Sequence, residues 1–212
     1  MRSSKLQRLV ALTAALFLGT GAIADPGVIA DPGAPDEVIQ GAVTELTEKL
    51  DGRKEQLAED KDALYALIDG ILLPRFDRKL AAQLVLAKHW RDASEEQRER
   101  FIDAFYNSLL HKYADGILEF DESRIEVIAF RGDATAKRTL VKTNVTLSDG
   151  TKVPVHYDLV NRGDHWLIFN VKVEGISYIS NYRTELDAEI RATSLATVID
   201  RLEAEAGIDT NE

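Results

Sequence analysis

The sequence contains no cysteine, and its single methionine is Met1. The absence of cysteine excludes thiol catalysis, cysteine-built zinc or iron–sulfur sites, disulfide bonds and a lipid-modified N-terminal cysteine. Long hydrophobic runs are also absent, because the longest, at residues 9–18, has about half of the roughly 20 residues that a membrane-spanning helix needs. Acidic residues outnumber basic ones, 36 to 26, and the net charge of −10 argues against binding to nucleic acid. What is present is an acidic globular chain of 212 residues, 45% hydrophobic, long enough for one domain with its own core.

The N-terminal segment has the features of a secretory signal peptide. Three basic residues precede the apolar run, and small residues precede Asp25. This order predicts a signal peptide at residues 1–24, with an N-terminal anchor helix as the alternative. Its removal takes away three basic residues and no acidic one, so the net charge of the mature chain is −13. Such a charge repels anionic lipid surfaces, and we expect no stable insertion into a membrane.

The rest of the chain is predicted to form one domain with short extensions. Residues 25–35 hold three prolines and two glycines but few large apolar side chains, which is typical of a flexible leader. Periodic apolar patterns begin near Asp36. We therefore assign a single domain to residues 36–206 and a C-terminal tail to residues 207–212.

The first half of the domain is predicted to be helical, because its apolar residues recur at intervals of three and four. We expect one helix capped by Asp36, one ending near Leu73 before Pro74, one over residues 78–90 capped by Asp77, and one from the capping box at Ser94 to about Ala114. Two further helices are expected at the end of the chain, from about Ile176 and from about Leu195.

Between these helical regions the apolar residues alternate, which predicts strands. The expected strands cover residues 125–130, 139–147, 153–159 and 166–173, and Asp149–Gly150 is a hairpin turn. In the last strand, alternation places Leu167, Phe169, Val171 and Val173 on one face and Trp166 and Ile168 on the other. The predicted fold is therefore α+β: helices wrapped around a curved four-stranded antiparallel sheet, cone-like, with an apolar cavity.

Motifs of catalysis or metal binding are not found. The sequence has no nucleophile elbow, phosphate-binding glycine loop, zinc-protease motif or calcium loop. Its four histidines and its paired acids, such as Glu95–Glu96 and Asp121–Glu122, are predicted to be solvated surface groups. The residues between Arg75 and Arg100 are locally basic, which fits a helix surface with paired charges, or alternatively a surface that meets an anionic headgroup or an acidic partner.

Two long strings resemble the MlaC family, whose members are also called toluene-tolerance proteins. The first runs from Lys88 to Phe101, with Leu73–Asp77 shortly before it, and contains W-x-x-A-S-x-x-Q-R-x-x-F. The second runs from Trp166 to Arg183 and contains V-E-G-I-S-x-x-x-N-Y-R. The chain departs from the family pattern at Asn170, where the family often has aspartate, and at residues 192–195, where a glycine is expected.

The resemblance implies a soluble periplasmic carrier of phospholipid. Such a carrier would take a glycerophospholipid between an outer-membrane lipoprotein–porin complex and an inner-membrane transporter's substrate-binding protein of the MCE type, and so maintain outer-membrane lipid asymmetry. It would act as a monomer, without catalysis and without a cofactor, the bound phospholipid being its cargo. Two acyl chains with about 30 methylene groups would lose about 24 kcal/mol on crossing water unprotected, so a carrier needs an apolar lining.

Candidates for this lining follow from periodicity, as inward residues of the sheet and of the helices that face it. They are Phe101, Phe105, Leu109, Val127, Val141, Val145, Val155, Tyr157, Phe169, Val171, Val173, Ile179 and Tyr182. The polar headgroup is expected to stay in water at the mouth of the cavity, because burying it unpaired is unfavourable. Selectivity among headgroups should therefore be weak.

Two other functions remain open at this point. One is a small isomerase or hydrolase with a catalytic group inside the cone, which a helix would have to supply through Tyr106, Tyr113 or Tyr182. The other is a periplasmic adaptor whose cavity is packed shut and which binds partners through its outer helices. Bound lipid would separate the carrier from the adaptor, and turnover would separate the enzyme from both.

Overall fold

The computed structural model describes residues 33–208, which form an α+β fold as predicted. The helices are α1 (Pro35–Leu50), α2 (Lys54–Glu59), α3 (Lys61–Leu72), α4 (Arg78–Leu86), α5 (His89–Asp92), α6 (Glu95–Ile117), α7 (Tyr178–Ala192) and α8 (Leu195–Glu205), with 3-10 turns at Leu73–Arg75 and Glu122–Arg124. The strands are β1 (Ile125–Ile128), β2 (Arg138–Thr146), β3 (Lys152–Asn161), β4 (Trp166–Val173) and β5 (Ile176–Ser177).

The strands form one curved antiparallel sheet in the order β1-β2-β3-β4-β5. The predicted hairpin at Asp149–Gly150 is confirmed, with the Leu147 amide donating to the carbonyl of Thr151 at 2.8 Å. The prediction of four strands missed β5. Glu174 and Gly175 both have positive φ, 51° and 80°, which turns the chain back onto β4 for two residues before α7 begins.

A bulge in β4 corrects the predicted assignment of its faces. Tyr157 pairs with Val171 and Leu159 pairs with Ile168, so one extra residue of β4, Phe169, lies between them. Ile168 therefore returns to the face that Val171 occupies. Trp166 and Ile168 are buried in the core beneath the sheet, and the prediction that they face away from Val171 was wrong.

The helices pack into two hydrophobic cores. In the first, α1 and α3 together with the C-terminal half of α6 cover the inner face of the sheet. In the second, α4, α7 and α8 pack against the N-terminal half of α6 with little contribution from the strands. Helix α6 is thus common to both cores.

The observed helix ends agree in part with those predicted from the sequence. Ser94 and Gln97 form the predicted capping box, at 3.1 Å in both directions. The helix expected over residues 78–90 is divided into α4 and α5, because Ala87 has a φ of 49° and interrupts the helical backbone. Asp36 is not an N-cap: α1 begins at Pro35, and Asp36 Oδ2 accepts a hydrogen bond from the Phe130 amide at 2.9 Å.

Two stretches around these helices were not anticipated correctly. Helix α2, which buries Leu57, was not predicted. The connection before α8 works without the expected glycine, because Ser194 has an extended backbone and its hydroxyl caps α8 by accepting from the Thr197 amide at 3.1 Å.

Among residues 33–208, no helix combines the length and apolar character needed to cross a bilayer. The predicted signal peptide lies outside the described residues, as do most of the predicted leader and the last residues of the predicted tail.

Asp77 joins α4 to the sheet, which gives a stability prediction. Its Oδ1 caps α4 by accepting from the Leu80 amide at 2.8 Å, while its Oδ2 accepts from Arg162 Nε at 2.7 Å. Asp60 caps α3 through the Ala63 amide at 3.0 Å, without an ion pair in the described part of the chain.

We therefore expect Asp77→Ala to lower the free energy of unfolding by about 2–3 kcal/mol, since it removes both a cap and the partner of a half-exposed guanidinium. Asp60→Ala, which removes a cap alone, should lower it by about 1 kcal/mol. Urea unfolding of both variants measures the difference. Equal losses would show that the Arg162 pair adds nothing to stability.

Candidate functional site

An apolar cavity lies at the seam between the two cores. It has a volume of about 130 Å³, close to the roughly 150 Å³ of an engineered apolar cavity that binds benzene. Its walls come from α3, α4, α6, β4, α7 and the turn before α4. The lining residues are Ile68, Leu72, Phe76, Ala81, Phe105, Tyr106, Leu109, Leu110, Tyr113, Ala114, Ile117, Phe169, Asn170, Val171, Tyr178, Ile179 and Tyr182.

Both cores contribute to this lining. Leu110, Ala114 and Ile117 of α6 belong to the core beneath the sheet, whereas Phe105 belongs to the helical core. Seven lining residues belong to α6. Their spacing follows the helical repeat, so they form one face of that helix. The cavity is therefore a gap between two packed units that share a helix.

The lining is partly exposed where α6 meets α7. Leu109 and Tyr113 of α6 and Tyr178 and Tyr182 of α7 are half-buried, whereas the deeper lining residue Ala114 is buried. We call these four residues the mouth; Phe76, Tyr106 and Val171 of the lining are half-buried as well. The Tyr113 and Tyr182 hydroxyl oxygens are 3.0 Å apart there, which joins the two helices by a hydrogen bond.

Six of the thirteen predicted lining residues surround this cavity: Phe105, Leu109, Phe169, Val171, Ile179 and Tyr182. Contact of these six with lipid stays a prediction. The seven others lie elsewhere: Val141, Val145, Val155, Tyr157 and Val173 are buried in the core beneath the sheet, Val127 is partly buried against it, and Phe101 is buried in the helical core.

The predicted lining and the observed lining differ for a physical reason. The sequence indicated which strand residues point inward but not how closely helices approach them. The inner face of the sheet is packed in one core with α1 and α3, so the cavity lies mainly between helices, with Val171 as a contribution from that face. The apolar lining thus comes mainly from α6 and α7 rather than from the concave face of the sheet.

Sequence reasoning missed much of the α6 wall. Leu110, Ala114 and Ile117 were not considered, and Tyr106 and Tyr113 were considered only as possible catalytic groups. The signal was present, because α6 carries apolar or aromatic residues on more of its circumference than one core requires. A helix of this kind has two neighbours, and the boundary between them is where a gap can form.

The polar side chains of the lining are hydrogen-bonded or uncharged. Tyr106 donates its hydroxyl to Asp69 Oδ1 at 2.9 Å, and its burial, followed by the charge of Asp69, raises its pKa well above the usual phenol value. Burial likewise raises the pKa of Tyr178 and of Tyr182. These phenols stay protonated at neutral pH and are poor general bases.

Asn170 is a further polar residue of the lining. Its Nδ2 donates to Asp158 Oδ2 at 2.7 Å, and its Oδ1 accepts from Ser177 Oγ and from the Ile179 amide, both at 3.1 Å. Both the nitrogen and the oxygen of this amide are therefore engaged, and they hold the start of α7 to the sheet. None of the described lining residues is charged, so the cavity suits an apolar ligand better than a reacting one.

Three of the four histidines, His89, His111 and His156, are half-buried and so less solvated than predicted. His89 Nε2 lies 2.7 Å from Asp187 Oδ1, and the ring of His111 stacks on Tyr65 with 4.1 Å between centroids. Hydrogen bonds from Lys88 and His89 lower the pKa of Asp187 to about 2. Within residues 33–208, no group of His, Asp and Glu side chains is arranged to hold a metal ion.

Comparison with known proteins identifies the family of this chain. The MlaC protein family matches residues 40–204. The chain is 34% identical over 152 residues to the toluene tolerance protein Ttg2D of Pseudomonas putida, covering 71% of this chain and 70% of that protein. It is 19% identical over 176 residues to the intermembrane phospholipid transport system binding protein MlaC of Haemophilus influenzae, covering 82% of each.

A solved structure has the same fold. The phospholipid-binding protein of Ralstonia solanacearum, determined in complex with a phospholipid, superposes with a TM-score of 0.73 at 18% identity. The match covers 82% of this chain and 98% of that one.

The buried tyrosines give a prediction for alkaline pH. Tyr106, Tyr157, Tyr178 and Tyr182 all have a pKa raised by burial, so in the folded state they remain protonated where the unfolded chain ionises, at about pH 10. The unfolded state binds fewer protons there, so the stability present below pH 10 is lost as the pH rises further.

We expect the free energy of unfolding to fall steeply above about pH 10, with tyrosinate absorbance appearing as near-ultraviolet circular dichroism is lost. Tyr178→Phe combined with Tyr182→Phe should make this fall shallower, because two of the four shifted groups are removed. An unchanged slope in that double variant would contradict the prediction.

Proposed function

The chain belongs to the MlaC family, and we propose that it is a periplasmic carrier that shuttles a glycerophospholipid between membrane complexes. The observation that carries this proposal is the uncharged cavity at the seam between the two cores, whose lining is partly exposed where α6 meets α7. Support comes from the phospholipid bound to the Ralstonia protein of the same fold, and from the name of the Haemophilus relative.

The volume of the cavity indicates how a lipid would enter. About 130 Å³ is less than the roughly 300–1,000 Å³ of pockets for small-molecule ligands, so in this conformation the cavity admits only part of one acyl chain. Its walls belong to separate cores, and these can move apart while each keeps its own packing. We infer that loading separates the sheet core from the helical core about α6.

Charge and chemistry favour a carrier over an enzyme. The tyrosines considered as catalytic groups have a raised pKa or a phenol partner, and no described lining residue is an acid, a histidine or a lysine. An acidic chain of net charge −10 is repelled by anionic lipid surfaces, so exchange of cargo would take place on docking partners. We assign these partners to an outer-membrane lipoprotein–porin complex and an inner-membrane MCE-type protein.

Native mass spectrometry of the protein, purified from the periplasm without detergent, tests the carrier function. We expect a mass increment that matches phospholipid and is recovered by organic extraction. An unloaded protein that takes up no lipid either from vesicles or from a loaded partner would favour the adaptor, and turnover of the extracted ligand would favour the enzyme. Recovery of the protein in the periplasmic fraction, beginning near Asp25, tests the predicted signal peptide.

A pair of leucine variants ties the lipid to the cavity. Leu109→Trp places a larger side chain at the mouth, whereas Leu84→Trp enlarges another half-buried leucine that packs against the helical core but does not line the cavity. We expect Leu109→Trp to reduce copurified lipid at least threefold, because overfilling removes space for the chain, and Leu84→Trp to retain it. Comparable lipid in both variants, with both folded, would place the lipid outside this cavity.

A further inference from the structure

A cluster of hydrogen-bond donors lies at the mouth of the cavity. Lys112 Nζ is 5.6 Å from the ring centroid of Tyr113 and 5.7 Å from that of Tyr182, so one ammonium group stands beside two lining rings. Tyr178 lies one turn before Tyr182 on α7, and the centroids of their two rings are 6.4 Å apart. We call Lys112, Tyr113, Tyr178 and Tyr182 the mouth cluster.

The mouth cluster has more hydrogen-bond donors than there are acceptors paired with them. Lys112 has no carboxylate within ion-pair distance among residues 33–208. The three tyrosines make one hydrogen bond among themselves, between Tyr113 and Tyr182, and the described chain provides no acceptor for the other phenol protons. One ammonium and two phenol O–H groups therefore remain available to a ligand.

Other cations beside lining rings do not share this arrangement. Arg78 lies 5.2 Å from the ring centroid of Tyr106, but its guanidinium donates to Asp103 Oδ1 at 2.8 Å. Arg138 lies 5.2 Å from the ring centroid of Phe169, which has no hydroxyl to act with it. Among the cations that contact lining rings, Lys112 alone in the described chain combines a free charge with phenol donors.

The ligand that matches several donors and one positive charge is an anionic acceptor. Glu185, exposed on α7 near Tyr182, adds a negative charge that disfavours a doubly charged group. A phosphodiester has one negative charge and several acceptor oxygens, and in a glycerophospholipid it is attached to the glycerol that carries the acyl chains. With the chains in the cavity, that group would lie at the mouth.

We propose that Lys112, with Tyr178 and the Tyr113–Tyr182 pair, binds the phosphodiester of the lipid whose chains occupy the cavity; this rests on the proposed carrier function. The site distinguishes phospholipids from neutral lipids of the same chain composition. It does not distinguish one phospholipid headgroup from another, because the phosphodiester is common to them.

Competition between two lipids tests the site. Delipidated protein is incubated with vesicles that contain equal amounts of phosphatidylglycerol and diacylglycerol with identical acyl chains, and the lipid extracted from the repurified protein is quantified. We expect wild-type protein to retain more phosphatidylglycerol than diacylglycerol. Lys112→Gln should lower that ratio about fivefold, as for one charge-assisted contact at a partly exposed site, with diacylglycerol uptake unchanged.

Two further variants separate the site from a general charge effect. Lys49→Gln makes the same charge change on α1, whose residues do not line the cavity, and should leave the ratio as in wild type. Tyr178→Phe, which removes one phenol donor and keeps the ring, should lower the ratio by a smaller factor than Lys112→Gln. Equal effects of Lys112→Gln and Lys49→Gln would overturn the proposal.

The remaining outcomes are distinguishable. Equal retention of both lipids by wild-type protein overturns phosphodiester binding and leaves the carrier function standing, whereas uptake of neither lipid, by a protein that also carries no phospholipid when purified from the periplasm, overturns the carrier function itself. A fatty acid with the same chain serves as a third probe: if its retention exceeds that of phosphatidylglycerol and depends on Lys112, the site binds carboxylates and the proposal is wrong.

Discussion

Helix α6 has to satisfy two hydrophobic cores at once, and the rest of the structure depends on how it does so. Its N-terminal half buries Phe101 and Phe105 among α4, α7 and α8, while its C-terminal half buries Leu110 and Ile117 beneath the sheet. A single straight helix cannot bring both sets of neighbours into contact along its whole length. Where the two cores diverge, side chains of α6 face space instead of partners, and that space is the cavity.

This arrangement reconciles stability with the entry of a ligand. Close-packed interiors tolerate little change in volume, so a cavity inside one core could widen only by disrupting it. A cavity between two cores can widen by a relative displacement of units that each remain packed. The hydrogen bond between Tyr113 and Tyr182 crosses the opening of that seam, and it is exchanged easily because both groups can hydrogen-bond to water or to a ligand.

The sequence was sufficient for the order of the main elements, although not for α2 and β5, and it was insufficient for the cavity. Period and capping identified the helices from Ser94 onward and the strands of the meander, because these depend on local residue choice. The bulge at Phe169 is different, since it accompanies a non-local contact in which the Asp77 amide donates to the Ile168 carbonyl at 2.8 Å. Likewise, the filling of the sheet's inner face depends on how closely α1 approaches it, which no spacing within one strand reveals.

Asn170 has a consequence for how the start of α7 responds to its surroundings. Its amide donates to Asp158 with one atom and accepts from the Ile179 backbone with the other, so it connects an acid to a helix N-terminus without carrying a charge. An aspartate in the same place would set two carboxylates against each other, with Lys172 as the available counter-charge at 2.8 Å from Asp158, and one of the pair would have to take up a proton. Because the amide is uncharged, the hydrogen bonds that its oxygen accepts from Ser177 and from the Ile179 amide do not depend on acidity, and the start of this wall of the cavity keeps that part of its anchor when the pH changes.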